Sequence, residues 1–174
     1  RFGDSGVEVY RMLRNAQDRQ QQMITDIRET TREIVSPADA RKYRYETHEF
    51  VTDGGQELTL TTAQIMSIYE LSKRKQAQGH LLSGGIYQPE VPGTKIRRGT
   101  EAIHLTEGDL ATIVGTLTDK QAKVADELQK VMATTLADWG NEASMKAYGY
   151  KKFTGADYWP ISVAREGVKT TVEN

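Results

Sequence analysis

Apolar residues recur at roughly helical spacing along the first 35 positions. Those that follow the spacing are Val9, Leu13, Ala16, Met23, Ile24, Ile27 and Ile34. This period predicts one long helix, with Ser5 and Glu8 as its capping box and Pro37 marking its end. The polar run at 17–22 interrupts the apolar stripe, so we expect that stretch to be solvated or to pack on something outside the chain.

The apolar pattern changes to alternation after the first proline. "YRYETHEFV" at 43–51 alternates and is rich in residue types that favour strands, and "ELTL" follows at 57–60. The intervening "DGG" at 53–55 supplies residues that tolerate the positive φ values of a tight turn. These features predict an antiparallel hairpin.

Helical patterns return on both sides of a long loop. Capping residues precede four helices, namely Ser36 before Pro37, Thr61 with Gln64, Thr106 with Asp109, and Thr118 with Gln121. The two longer of these helices are expected near 61–78 and 119–146. Gly79 is expected to close the first of them in a left-handed cap, and the glycine- and proline-rich stretch at 80–100 is expected to be a loop.

These elements predict a mainly α fold with a small antiparallel β element. The β pieces are expected at about 43–60, 102–105 and 158–163, and the second of them could pair with 57–60 in one sheet. Residues 1–35 are predicted to form a long extended helix. Residues 36–174 are predicted to form a compact helical region that contains the small β element.

The composition suits one domain or one piece of a larger protein. The 174 residues are 37% hydrophobic and 27% charged, and the net charge is −1, so no overall positive field attracts nucleic acid or anionic lipid. The sequence has no cysteine, which excludes disulfides, thiolate metal sites and cysteine nucleophiles. It also has no apolar run long enough to span a membrane.

The charges are nevertheless unevenly distributed. Residues 71–100 contain six lysines and arginines against the single acid Glu90, whereas residues 101–142 contain three basic and eight acidic residues. The six basic residues are Lys73, Arg74, Lys75, Lys95, Arg97 and Arg98. They are candidates for contact with nucleic acid or an acidic partner, and they could equally contact the acidic helix of their own fold.

Residue types that carry catalysis are present without a motif that organises them. His48, His80 and His104 are far apart and belong to no H-E-x-x-H motif. The glycines of 82–95 match neither the phosphate-binding motif G-x-x-x-x-G-K-[ST] nor G-x-G-x-x-G, and two prolines there remove backbone donors. We therefore predict no catalytic residue, no cofactor and no metal for this segment, and we interpret its helical carboxylates as caps or solvated charge.

Aromatic residues concentrate near the end of the chain. Six of the thirteen lie between 139 and 159, namely Trp139, Tyr148, Tyr150, Phe153, Tyr158 and Trp159. Lysines stand among them, so a stacking surface for nucleic acid is one interpretation. The other interpretation, which the glycines and Pro160 favour, is a structural anchor that buries these rings.

The same stretch carries a longer motif. A helix ends in W-G-N-x-x-S, and Y-G-Y-K-x-F and Y-W-P-I follow; the residues are Trp139, Gly140, Asn141, Ser144, Tyr148, Gly149, Tyr150, Lys151, Phe153, Tyr158, Trp159, Pro160 and Ile161. With this motif, roughly residues 57–163 resemble a segment of very large multidomain proteins of bacteriophages, prophages and related mobile elements. The N-terminal helix lies outside the resemblance.

The resemblance implies a structural or interaction module in a virion or in the host cytoplasm. Internal virion proteins delivered with the genome are one such kind, and their enzymatic modules lie elsewhere in the chain. The implied partners are other segments of the same polypeptide or other virion subunits, in an oligomeric assembly. An accessory domain beside an enzyme module is a further alternative. The sequence lacks an initiator methionine and a signal-peptide pattern, which favours a segment of a longer polypeptide.

Overall fold

A computed structural model gives the fold of this protein and describes residues 4–153. The fold is mainly α-helical with small antiparallel sheets, as the sequence predicts. The chain divides into two compact units, Arg1–Leu128 and Gln129–Asn174, and each is described by itself below.

The elements follow one another closely. They are α1 (Asp4–Ile34), α2 (Pro37–Tyr45), β1 (Thr47–Val51), β2 (Glu57–Thr61), α3 (Thr62–Ser72), α4 (Lys75–Gly84), β3 (Ile86–Tyr87), β4 (Ala102–Ile103), α5 (Glu107–Gly115), α6 (Asp119–Val131), a π-helical turn (Met132–Leu136) and α7 (Ala137–Tyr148). None of the helices within residues 4–153 has the length and apolar character needed to cross a bilayer.

The predicted hairpin is confirmed, but its first strand begins at Thr47 and not at Tyr43, because the helix that Ser36 caps continues to Tyr45. The helix caps predicted at Ser36, Thr61, Thr106 and Thr118 are confirmed. β1 and β2 pair antiparallel with Thr47 opposite Thr61, and Gly55 supplies the positive φ of their turn at +78°. Ser36, Thr61 and Thr106 each accept a hydrogen bond from the third following backbone N–H. Thr118 and Gln121 also exchange both bonds of a capping box.

The main core of the first unit lies between the hairpin and three helices. Its buried residues are Leu58, Leu60, Ile65, Ile68, Leu81, Ile103, Leu105, Leu110 and Ile113. The alternation of β2 places Leu58 and Leu60 on one face of the hairpin. A second cluster packs the end of α1 against α2, α3 and α6 through Val35, Tyr43, Met66, Val124 and Ala125.

The single helix predicted near 61–78 is wrong, because two helices occupy that region. α3 ends at Ser72, and α4 starts after Arg74, which has an extended backbone (φ −108°, ψ 118°). Gly79 lies inside α4 and does not cap it, since the helix continues far enough to bury Leu81 in the main core. The left-handed residue is Gly85, at φ +68°.

The two strand pieces that could have formed one sheet do not pair with each other. β4 pairs with β3 instead of β2, so the unit contains two separate two-stranded sheets. The Gln88 side chain makes the backbone hydrogen bonds that a neighbouring strand would make with β2. The Gln88 amide accepts from Thr59 N–H at 2.9 Å and donates to Thr59 C=O at 2.7 Å, which covers the open edge of β2.

Helix was predicted near 119–146, and helical structure runs from Asp119 to Tyr148 with an interruption. The π-helical turn Met132–Leu136 separates α6 from α7, and periodicity alone does not reveal such a turn because it adds only one residue to a helical repeat. The strand predicted at 158–163 lies outside the described residues.

Gly85→Ala is expected to destabilise the first unit by about 2 kcal/mol, because the φ of +68° and ψ of −172° favour glycine almost alone. An added Cβ would also lie 2.5 Å from the Ile103 carbonyl oxygen. Gly79→Ala is the matched control: nothing lies within 4 Å of an added Cβ there, so it should stabilise α4 by about 0.5–1 kcal/mol. Urea titration of both variants measures the two changes in the free energy of unfolding. Equal changes in the two variants would contradict the prediction.

Candidate functional site

Lys73, the first of the six predicted contact residues, binds acidic groups of its own fold. Its Nζ donates to Glu70 Oε1 at 2.8 Å and forms a close ion pair with Asp126 of α6. The same ammonium group lies 3.8 Å from the centre of the Tyr69 ring. Of the two outcomes that the sequence left open, contact with the acidic helix is therefore the one observed for Lys73.

The three charges of this cluster have shifted pKa values. Burial raises the pKa of Glu70, which is only 3% exposed, although Lys73 opposes the shift. Burial would lower the pKa of Lys73, but hydrogen bonds to Asp126 and Glu70 outweigh it and raise that pKa. Burial would likewise raise the pKa of Asp126, and the hydrogen bond from Lys73 holds it below its usual value. The cluster ties α3 to α6.

Lys73→Met is expected to lower the free energy of unfolding by about 1–2 kcal/mol at pH 7. Removing one partner leaves the buried Glu70 carboxylate uncompensated, and solvent screening moderates the loss because the Lys73 side chain is 39% exposed. Lys75→Met is the matched control, since Lys75 is an exposed lysine two residues away.

The cost of Lys73→Met should be smaller at about pH 4 than at about pH 7. In the variant Lys73 no longer opposes the effect of burial, so the pKa of Glu70 is raised still further. Protonated Glu70 then stabilises the folded variant at low pH, and this stabilisation is lost as pH rises through that pKa. The stabilisation from the lowered pKa of Asp126 is present only above its usual value, and it disappears with Lys73. Urea titrations at the two pH values check this sign; a cost that grows toward acid would contradict it.

The other five basic residues have different surroundings. Arg74 is half-buried, and within the described residues its Nη2 is buried without a hydrogen-bond partner. Arg97 lies 3.6 Å from Glu90 and donates to Thr94 C=O. Lys75, Lys95 and Arg98 are exposed. The basic region therefore offers fewer outward charges than its sequence suggests.

His48 and Asp109, which belong to the residue types considered for catalysis, have structural contacts. Thr62 Oγ1 donates to Glu46 at 2.9 Å, so it must accept from His48 Nε2, also at 2.9 Å. Asp109 accepts from the backbone N–H of Thr106 and Asp53. Burial would raise the pKa of Asp109, and these bonds lower it instead. Among residues 4–153, no three histidine or acidic side chains converge on a metal position.

The motif residues at the end of α7 form a defined turn, here called the motif turn (residues 140–153). Gly149 closes α7 in a left-handed conformation at φ +76°, and its N–H donates to Met145 C=O. Asn141 then donates through Nδ2 to Phe153 C=O at 2.7 Å and accepts from Phe153 N–H at 2.8 Å. Ser144 donates to Tyr150 C=O at 2.7 Å. These bonds bring the returning chain back onto α7.

Gly140 explains how closely the returning chain approaches the helix. A Cβ at this position would lie 2.6 Å from Phe153 Cε2, a separation that real side chains do not tolerate. Phe153 is half-buried as a result, and Trp139 one residue before Gly140 is also half-buried. The glycine, the asparagine and the serine of W-G-N-x-x-S thus each serve the turn.

The two tyrosines of the motif do not point inward as predicted. Tyr148 is 62% exposed and Tyr150 is 56% exposed. Gly149, in a left-handed conformation, ends α7 between them, so Tyr150 no longer follows the helical period. Trp139 and Phe153 are half-buried, short of the largely buried state expected of an anchor. Tyr158 and Trp159 lie outside the described residues.

Sequence reasoning missed a further surface feature on α2. An open pocket of about 520 Å³ is lined by Ala38, Arg41, Lys42 and Tyr45. The Arg44 guanidinium lies 5.6 Å from the centre of the exposed Tyr45 ring. The run "ARKYRY" at 40–45 was the available signal, since it interleaves basic and aromatic residues.

Comparison with protein-family models, with curated proteins and with solved structures finds no match.

Proposed function

We propose that this chain is a non-catalytic structural and interaction module of a large phage or prophage multidomain protein, such as an internal virion protein. The proposal takes its biological setting from the resemblance of the motif to such proteins. Its partners are other segments of the same polypeptide or other virion subunits. It acts by presenting a long helix, α1, from a compact base.

The exposure of α1 is the observation that carries the proposal. The helix has 31 residues, which at 1.5 Å per residue amounts to about 46 Å. All residues from 14 to 22 are exposed, so no side of this stretch is covered. A helix gains most of its stability from packing one face against something else, and this stretch is available for that contact with a partner.

The motif turn supports the proposal from the other end of the chain. Gly140, Asn141, Ser144, Gly149 and Phe153 all contribute to the shape of the backbone there. These are five of the thirteen motif residues by which the chain resembles the phage proteins. These residues shape a structural unit, and this fits a role in assembly.

The test is association of the chain with the segments that flank it in its full-length gene, measured by size exclusion with light scattering. We expect self-association or a complex with a flanking segment. Ala16→Pro should abolish it, because proline inside a helix costs about 3 kcal/mol, while Ala16→Ser at the same exposed position should preserve it. A stable monomer with no affinity for either flanking segment would overturn the proposal.

A further inference from the structure

We infer that the surface formed by Tyr148, Tyr150, Lys151 and Lys152, here called the tyrosine–lysine surface, binds single-stranded nucleic acid. All four residues are exposed. The inference concerns the outward side of the motif turn, whereas the proposed function rests on α1. The two can therefore fail separately.

The geometry offers ring faces for stacking. The Tyr148 and Tyr150 rings have centres 6.2 Å apart and planes tilted by 43°. Lys152 Nζ lies 3.8 Å from the centre of the Tyr148 ring, yet that side chain remains 62% exposed. Proteins that hold single strands without sequence preference combine stacked aromatic rings with nearby cations in this way.

The local charge fits a phosphate backbone although the whole chain is slightly acidic. Residues 143–153 contain Lys146, Lys151 and Lys152 and no acid. Lys146 forms an ion pair with Glu142 at 3.0 Å, so Lys151 and Lys152 are the cations best placed for phosphate. A basic patch of this kind binds through counterion release, which makes the affinity dependent on salt.

The surface is held in place before any ligand arrives. Ser144 fixes the Tyr150 carbonyl, and Asn141 fixes the backbone of Phe153 just beyond the two lysines. A preformed surface loses less conformational freedom on binding than a flexible tail. An acidic peptide would satisfy the lysines but would leave the two exposed ring faces unused, so the chemistry favours a ligand with both phosphates and bases.

The experiment is fluorescence anisotropy of the full chain with labelled oligo(dT) and oligo(U) of about 20 nucleotides. Tyr148→Ala with Tyr150→Ala should weaken binding about tenfold or more, and the double phenylalanine variant should retain it because stacking needs only the ring. Lys151→Glu with Lys152→Glu should also weaken it. Raising salt from about 50 to about 200 mM should weaken wild-type binding about sevenfold, as expected for two phosphate contacts.

Two controls distinguish this surface from general attraction. Tyr45→Ala removes another exposed tyrosine that lies beside an arginine, and it should change the affinity by less than about twofold. An abasic strand of equal length should bind much more weakly than oligo(dT). Tighter binding of one of the two oligonucleotides supports the inference and identifies the ligand as DNA or RNA.

Three results would overturn the inference. They are no measurable binding to either strand, equal binding of the abasic strand, and unchanged affinity in the alanine variant. Stronger binding to an acidic polypeptide than to both oligonucleotides would also overturn it. Far-UV circular dichroism confirms that the variants fold, and we expect no change because both tyrosine side chains are exposed and the Tyr150 contact to Ser144 is made by backbone.

Discussion

Asn141→Ala is expected to release the returning chain from α7 at a cost of about 3 kcal/mol. The side chain is 7% exposed and makes two hydrogen bonds to the Phe153 backbone. Each bond contributes about 1 kcal/mol, and the backbone groups left unpaired in a half-buried position add to the loss. Urea titration followed by tryptophan fluorescence measures the effect.

Ala143→Ser is the matched control for Asn141→Ala. Ala143 lies two residues further along the same helix and is exposed, so its replacement should change stability by less than about 0.5 kcal/mol. Ser144→Ala should lie between the two, since it removes the single hydrogen bond to Tyr150 C=O. If Asn141→Ala were as harmless as Ala143→Ser, the described hydrogen bonds would not hold the motif turn together.

Ile65→Ala is expected to lower the free energy of unfolding of the first unit by about 3–4 kcal/mol. Ile65 is 0% exposed and belongs to the core between the hairpin and the helices, together with Leu58 and Ile113. Truncating a fully buried isoleucine removes apolar contact and leaves a cavity that the surrounding side chains fill only in part. Urea titration followed by far-UV circular dichroism measures the loss.

Val51→Ala provides the comparison for Ile65→Ala. Val51 ends β1 and is 71% exposed, so its truncation should cost less than about 0.5 kcal/mol. Both changes truncate a β-branched residue of the same unit to alanine, one buried in α3 and the other exposed at the end of β1. Similar losses for the two variants would contradict the location of the core.

The features that sequence predicts well are those fixed by near neighbours. Thr61 with Gln64 and Thr106 with Asp109 are three residues apart, so the capping boxes follow from spacing alone. The turn of the hairpin follows from Gly55 in the same way. Local chemistry decides these elements without help from the rest of the fold.

The features that sequence reasoning missed depend on residues that are distant in the chain. Gln88 completes the edge of β2 from 29 residues away, and no local pattern distinguishes such a glutamine from a solvated one. The extension of α4 beyond Gly79 depends on burial of Leu81 in a core built by other elements. A tertiary contact overrides the local preference in both cases.

The aromatic stretch of the sequence coincides with the motif turn, but the burial predicted for Tyr148 and Tyr150 is not observed. The cluster of aromatic residues marks the motif turn correctly, and Gly140 beside Phe153 shows the close packing that glycine allows. Helical period could not place Tyr150, because Gly149 reverses the chain just before it. The sequence could not identify the ion-pair partners of Lys73 for a similar reason, since Asp126 lies 53 residues away.

Whether residues 140–153 form one fixed turn is tested most directly by amide hydrogen exchange of the full chain, resolved by residue. Phe153 N–H donates to Asn141 Oδ1 at 2.8 Å, and Gly149 N–H donates to Met145 C=O at 3.0 Å. Both amides should therefore exchange far more slowly than unprotected peptide amides, and Asn141→Ala should remove the protection of Phe153 alone. Exchange of the wild-type Phe153 amide at the unprotected rate, with α7 still protected, would contradict the motif turn.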